Sequence, residues 1–228
     1  GGWDRDHGTT WIYKLIVFRG ELHASIGLHG VNGRRWTGEV WRLTGGERWE
    51  RLGGEGALGS WDLPTTNLVT SMIVFRDRLF VGYNCQACPQ PDGRVGNIWC
   101  WDGEIWHDLA LPYSGAEAWL AGEQRSFNDF AVYRGTLVVG GGRAYPSGHA
   151  AVWALDMSRG GWRCIAPPAM MGTLQPEDAA IWRRNQYIYS MRVFREDLIV
   201  GFRGDDNTGH VWRFRANARK QISGSMAE

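Results

Sequence analysis

Apolar and polar positions alternate with a period of two along most of this chain, in short runs separated by glycine, proline and acidic residues. That pattern predicts β-strands rather than helices. Between residues 71 and 109 it resolves into four strands, A over 71–75, B over 78–83, C over 97–101 and D over 105–109. Arg76-Asp77 makes a tight turn between the first two, and Asp102-Gly103 supplies the last hairpin turn with the positive φ that such turns favour. The segment is a four-stranded antiparallel meander. Strand A is apolar on both faces, as in Leu15-Ile16-Val17-Phe18, which predicts a strand covered on both sides.

The same meander recurs four times. The string aromatic-Arg-x-x-Leu begins at Phe18, Phe75, Tyr133 and Phe194, at intervals of 57, 58 and 61 residues. Each copy is followed by an aliphatic-Trp pair: Val40-Trp41, Ile98-Trp99, Val152-Trp153 and Val211-Trp212. In the first three copies a further Trp comes seven to nine residues later, at Trp49, Trp106 and Trp162. A β-rich period of this length predicts a propeller or array in which repeats bury their faces against their neighbours. The expected fold is an all-β β-propeller of four four-stranded antiparallel blades, with repeats at roughly 1–54, 55–112, 113–168 and 169–228. The marker tryptophans are then interblade core. Because no strand is left over to interlock the first and last blades, the expectation is a domain or segment whose ring is completed by further repeats or a second chain. A self-contained four-bladed ring is the alternative.

At these residues the chain resembles the kelch-repeat family. Phe130-Ala131-Val132-Tyr133-Arg134-Gly135-Thr136-Leu137-Val138-Val139-Gly140-Gly141-Gly142 is similar to the kelch strand pair that ends in a Gly-Gly doublet. The stretches 151–156 and 162–168, with their spaced aromatics and exit through Pro167-Pro168, are similar to the later kelch strands. The resemblance spans the chain as four loose copies. It implies a propeller that recognises a protein partner.

Composition agrees with many short strands: there are 32 glycines and 14 tryptophans. A net charge of +1 provides no general attraction to nucleic acid or anionic membrane, and neither is an expected partner. No apolar run approaches the length of a transmembrane helix. Neither an initiator Met nor a secretory leader is visible at Gly1-Gly2-Trp3-Asp4, so the sequence reads as a domain cut from a longer chain, or as a processed one. With four cysteines, the expected compartment is the cytoplasm.

An antiparallel meander sorts its connections by parity. The A to B turns are tight, whereas the B to C and D to A connections are long and differ in every repeat, which makes their face the expected working face. On it the sequence places His29, Arg34, Arg35 and Trp36, then Arg94, then Arg143, Tyr145 and His149, and finally Arg203, Asp205 and Asp206. Arginine with aromatics suits interface hot spots and also anion or sugar sites. Four residues before each marker aromatic stand Lys14, Ser71, Asp129 and Ser190, polar positions expected at the mouth of the axis. Of these, Lys14 and Asp129 join the binding candidates.

Catalytic chemistry is not singled out. His23, His107 and His210 lie in or beside predicted strands and read as structural, and Gly140-Gly141-Gly142 lacks the Lys-Ser or Lys-Thr of a phosphate loop. Cys85 and Cys88 have the spacing of half a zinc site but no second pair, and read as loop thiols, with metal or a labile disulfide as the alternative. Cys100 and Cys164 read as small buried hydrophobes. No cofactor is expected. The sequence therefore predicts a non-catalytic recognition module that grips a protein through the loop face. The alternative is a small-ligand propeller, either a lectin or an enzyme working at the axis.

Overall fold

The computed structural model describes residues 10–28, 37–54, 57, 59–61, 67–85, 98–109, 126–142, 150–156, 161–166, 185–204 and 209–214. Among them are fifteen strands and no helix. The first repeat holds β1 (Thr10–Phe18), β2 (Glu21–Leu28), β3 (Thr37–Thr44) and β4 (Arg48–Gly53), paired antiparallel in that order. The second holds β5 (Asn67–Phe75), β6 (Arg78–Cys85), β7 (Ile98–Trp101) and β8 (Trp106–Asp108), paired in the same way. The third holds β9 (Ser126–Tyr133), β10 (Thr136–Gly142), β11 (Ala151–Asp156) and β12 (Gly161–Ala166). In the fourth, β13 (Asn185–Phe194), β14 (Asp197–Gly204) and β15 (Gly209–Phe214) repeat the first three strands; the strand D expected near 218–222 lies outside the described residues. The chain divides into two compact units, Gly1–Ala110 and Leu111–Glu228, each holding two meanders.

The recurring aromatic-Arg-x-x-Leu string is the A to B hairpin. Arg19, Arg76, Arg134 and Arg195 all take left-handed backbone, with φ between 49° and 56°. An L-residue there costs about 1–2 kcal/mol. Each guanidinium lies over the ring of the aromatic residue before it, 5.1 to 5.6 Å from the centroid, a contact that offsets part of that cost. The leucine of the string turns inward: Leu79, Leu137 and Leu198 are fully buried. Between the first two turns Arg19 donates through Nε and Nη2 to both carboxylate oxygens of Asp77, at 3.2 and 2.7 Å.

Within each unit one repeat packs face to face on the next. In the first, Phe18 and Val40 meet Val69, Met72, Leu79 and Val81, and Trp61 and Trp106 close the cluster. Trp61 is buried in the connection between repeats; its indole N–H donates to the Gly38 carbonyl at 3.0 Å and its ring stands edge-on to Tyr83 and Trp106. In the second unit Ala131, Val138 and Val152 meet Ile188, Met191, Leu198, Val200, Phe202 and Trp212. Gly140 belongs to this contact, because a Cβ there would overlap Ile188. Close packing between repeats therefore explains the first glycine of the third repeat's Gly140-Gly141 doublet.

The marker tryptophans Trp41, Trp153 and Trp212 are buried and Trp99 is half-buried, as expected of core positions. Cys100 and Cys164 are buried thiols outside any disulfide. One expectation fails. Strand A of the first repeat is not covered on both sides: Leu15 is 57 % and Val17 63 % exposed, whereas β1 and β3 pack on the equivalent strand β5 of the second repeat.

Candidate ligand site at the bulged strands

Every strand A carries a bulge at the same repeat position. The β1–β2 register skips Tyr13, β5–β6 skips Thr70, β9–β10 skips Asn128 and β13–β14 skips Tyr189. The residues that follow are Lys14, Ser71, Asp129 and Ser190, the polar series picked out by the sequence. A bulge inserts one unpaired residue and re-aims its neighbours, so these positions are built alike in all four repeats.

In the first and fourth repeats an aromatic pair straddles the bulge. Trp11 and Tyr13 lie edge to face with centroids 6.2 Å apart, and Tyr187 and Tyr189 do the same at 6.1 Å. Trp11 is 42 % and Tyr189 54 % exposed. Lys14 follows the first pair, half-buried, while exposed Arg203 stands opposite Tyr187 in the β13–β14 register. Partial burial and the neighbouring Tyr189 push the Tyr187 hydroxyl pKa upward, against the opposing influence of Arg203. Both pairs sit where strand A lies beside the end of strand B. Trp11 pairs with Gly27 next to the loop that carries Arg34, Arg35 and Trp36, and Arg203 lies just before Asp205 and Asp206. Within its own repeat each aromatic pair thus lies at the end of strand A opposite the A to B hairpin. The sequence reading missed Trp11, Tyr13, Tyr187 and Tyr189. Their trace in the sequence is two aromatics spaced by one residue, seven and five positions before the marker, in two repeats only.

The second repeat has Leu68, which is buried, and Thr70 there instead, and the third has the polar pair Ser126 and Asn128. Ser126 donates to Asn128 Oδ1 at 2.8 Å, and Asn128 Nδ2 donates to the Ile188 carbonyl at 3.0 Å. Asp129, expected as an axial ligand contact, is buried. Its Oδ2 accepts the Met191 backbone N–H at 2.9 Å and Arg192 Nη1 at 2.8 Å, tying the third repeat to the fourth. Glu39 is likewise buried, accepting from Trp41 Nε1 and Arg51 Nη1.

The histidines fall elsewhere. His23 is buried against Phe18, its Nδ1 3.0 Å from the Glu21 carbonyl, and burial lowers its pKa. His107 Nε2 is 2.6 Å from Asp102 Oδ2 at the C to D turn of the second repeat. That bond, with N–H donation from Ile105 and Glu104, holds the Asp102 carboxyl well below the usual carboxylate range. Arg34, Arg35, Trp36, Arg143, Tyr145, His149, Asp205 and Asp206 lie outside the described residues, as do His29, Arg94, Cys88 and the side chain of Cys85. Among the described residues no three His, Cys, Asp or Glu side chains gather into a metal cluster.

No family model matches the chain, and no curated protein matches it in sequence. Solved structures do match it in fold. A family 117 glycoside hydrolase from the marine bacterium Zobellia galactanivorans superposes with a TM-score of 0.57 at 12 % identity, over 99 % of this chain and 74 % of the other. The Trypanosoma rangeli sialidase in complex with sialic acid gives 0.56 at 11 % identity, over 93 % of this chain and 37 % of the sialidase. A thermostable family-43 glycoside hydrolase gives 0.52 at 9 % identity, with 99 % and 74 % covered. The chain has a propeller-like all-β fold. Nothing in these comparisons identifies kelch repeats. The expected protein-gripping module is corrected by the same finding, since these fold neighbours are glycoside hydrolases and a sialidase rather than interaction domains.

Proposed function

We propose that this chain is a carbohydrate-recognising β-propeller domain with one sugar site at the bulged start of strand A in its first repeat and another at the equivalent place in its fourth. The observation that carries the reading is the aromatic pair at the bulge of the first and of the fourth repeat, one ring of each exposed (Trp11 and Tyr189), each with a cationic neighbour, Lys14 or Arg203. An indole or phenol presents an apolar face to the C–H side of a pyranose, while ammonium, guanidinium and hydroxyl groups donate to its oxygens. Few polar groups around an aromatic wall is the usual make-up of a small-ligand site. The fold shared with glycoside hydrolases and a sialidase supports a saccharide as the ligand class. Arg34, Arg35, Trp36, Arg143, Tyr145, His149, Asp205 and Asp206, in the segments that join strands B and C of the first, third and fourth repeats, are proposed to select among sugars.

A panel of neutral and acidic oligosaccharides titrated by calorimetry, with intrinsic fluorescence as a second readout, tests the reading. Trp11→Ala and Tyr189→Ala should each weaken the best ligand by about tenfold or more, the loss of an anchor contact, with an unchanged melting temperature. Binding of every saccharide unaffected by both substitutions, or no binding at all, would sink it.

A further inference from the structure

The same strand positions are built in opposite chemical sense in the two units. In the second unit Asp129 pairs with Gly140 across β9–β10, and a Cβ at Gly140 would overlap Ile188, so this face looks onto the fourth repeat. The Asp129 carboxylate crosses to that repeat and accepts the Met191 N–H and Arg192 Nη1. In the first unit the equivalent pair is Lys14 and Ser25. Strand B has glycine at the Ser25 position in the other three repeats, at Gly82, Gly140 and Gly201. Ser25 is fully buried, and its hydroxyl has no hydrogen-bond partner among the described residues, an arrangement that costs stability until a partner arrives. Ser25 and Gly27 share a face of β2, and a Cβ at Gly27 would touch Leu68 of the second repeat and the ring of Tyr13. Trp11, paired with Gly27, and Lys14, paired with Ser25, lie on that face too. The first repeat therefore brings an ammonium, a hydroxyl and two aromatic rings to the place where the third brings a carboxylate.

We propose that the first repeat's site binds a carboxylate, the acid group of a uronic-acid-type sugar, in the position that the Asp129 side chain fills in the third repeat. The inference rests on the carbohydrate reading and names its substrate class. Lys14 holds the group through a charge-assisted hydrogen bond, and the Ser25 hydroxyl donates to it and so gains the partner it lacks. Met72 stands where Met191 does, so the backbone N–H that takes Asp129 has a counterpart beside the bound group. The sugar ring lies against the Trp11 and Tyr13 pair. A neutral sugar accepts the same hydrogen bonds without the charge, and binds more weakly.

Calorimetric titration with galacturonate, glucuronate and mannuronate oligosaccharides, their uncharged methyl esters and sodium acetate tests this. At least one uronate should bind the parent chain at least about tenfold more tightly than its own methyl ester. Ser25→Ala should reduce that preference, and Lys14→Leu should abolish it. Lys14→Asp tests the position without any sugar, because it gives the first repeat the carboxylate of the third. Its melting temperature should rise by about 2–4 °C, a shift within reach of one added buried contact in a chain of this length, whereas Lys14→Leu should show no rise. Uronates and methyl esters of equal affinity overturn the carboxylate and leave the carbohydrate reading standing. Lys14-dependent binding of acetate with no binding of any saccharide does the reverse. Binding of none of these probes overturns the proposal, as does a Lys14→Asp protein that melts no higher than the parent.

Discussion

Left-handed arginine four times over shows how a short motif can be visible in the sequence without its reason being visible. The string aromatic-Arg-x-x-Leu marks the repeats, yet only the structure shows the guanidinium lying on the preceding ring and the leucine turned into the core. Gly140 is a similar case, legible as half of a doublet but required by Ile188. Gly140→Ala should destabilise the protein by about 1–3 kcal/mol, the usual cost of overpacking, read as a lower midpoint in urea. His23 adds a pH dependence. Burial depresses its folded-state pKa below the ordinary 6.5, so its contribution is complete above 6.5 and is lost as pH falls through the lower folded value. Stability of the parent chain should therefore fall on acidification below 6.5 more steeply than that of His23→Gln. Parallel pH profiles for the two proteins would remove His23 from the account.

Strands were largely legible because alternation and turn residues agree, and the observed β5 to β8 differ from the sequence reading mainly in where they begin and end. The bulges were not. A bulge leaves no mark in a period-two pattern whose polar residue fits either face, and the skipped positions Tyr13, Thr70, Asn128 and Tyr189 share no residue type. Their consequence is a division of labour, with aromatic pairs in two repeats and polar ties in one. Asp129→Ala should leave the buried Met191 N–H without its acceptor and cost about 1–3 kcal/mol, measured by chemical denaturation. Trp153, fully buried, should cost about 3–5 kcal/mol on truncation to Ala. If Trp153→Ala kept the parent's denaturation midpoint, the repeat register would be wrong.

For the whole molecule, the carbohydrate reading proposed above draws its support from fold likeness joined to a local arrangement. Neither the loose kelch resemblance nor the loop composition distinguished a protein-binding face from a sugar site, because arginine and aromatic residues serve both. Under that proposal Arg34, Arg143 and Tyr145 are selectivity residues. Alanine at Arg34, Arg143 or Tyr145 should change the ranking of saccharides while moving stability by less than about 0.5 kcal/mol, as surface changes usually do. Unchanged rankings, measured by the same calorimetric titrations, would detach these loops from the site.

The sequence by itself determined the all-β class, the four-fold repeat, the hairpin turns and the core positions of the tryptophans, since each is set by local alternation, turn chemistry and spacing. Tertiary structure alone decided which apolar faces are covered, which polar residues are spent on packing and which aromatics stand exposed at a bulge. Val17 and Val74 occupy the same place in the pattern, yet one is open and the other packs against the preceding repeat. Asp129 and Lys14 are equivalent by position, yet one carboxylate is consumed by a backbone N–H and an arginine. Such outcomes depend on what the neighbouring sheet brings into contact, and period-two patterning within one repeat carries no information about that.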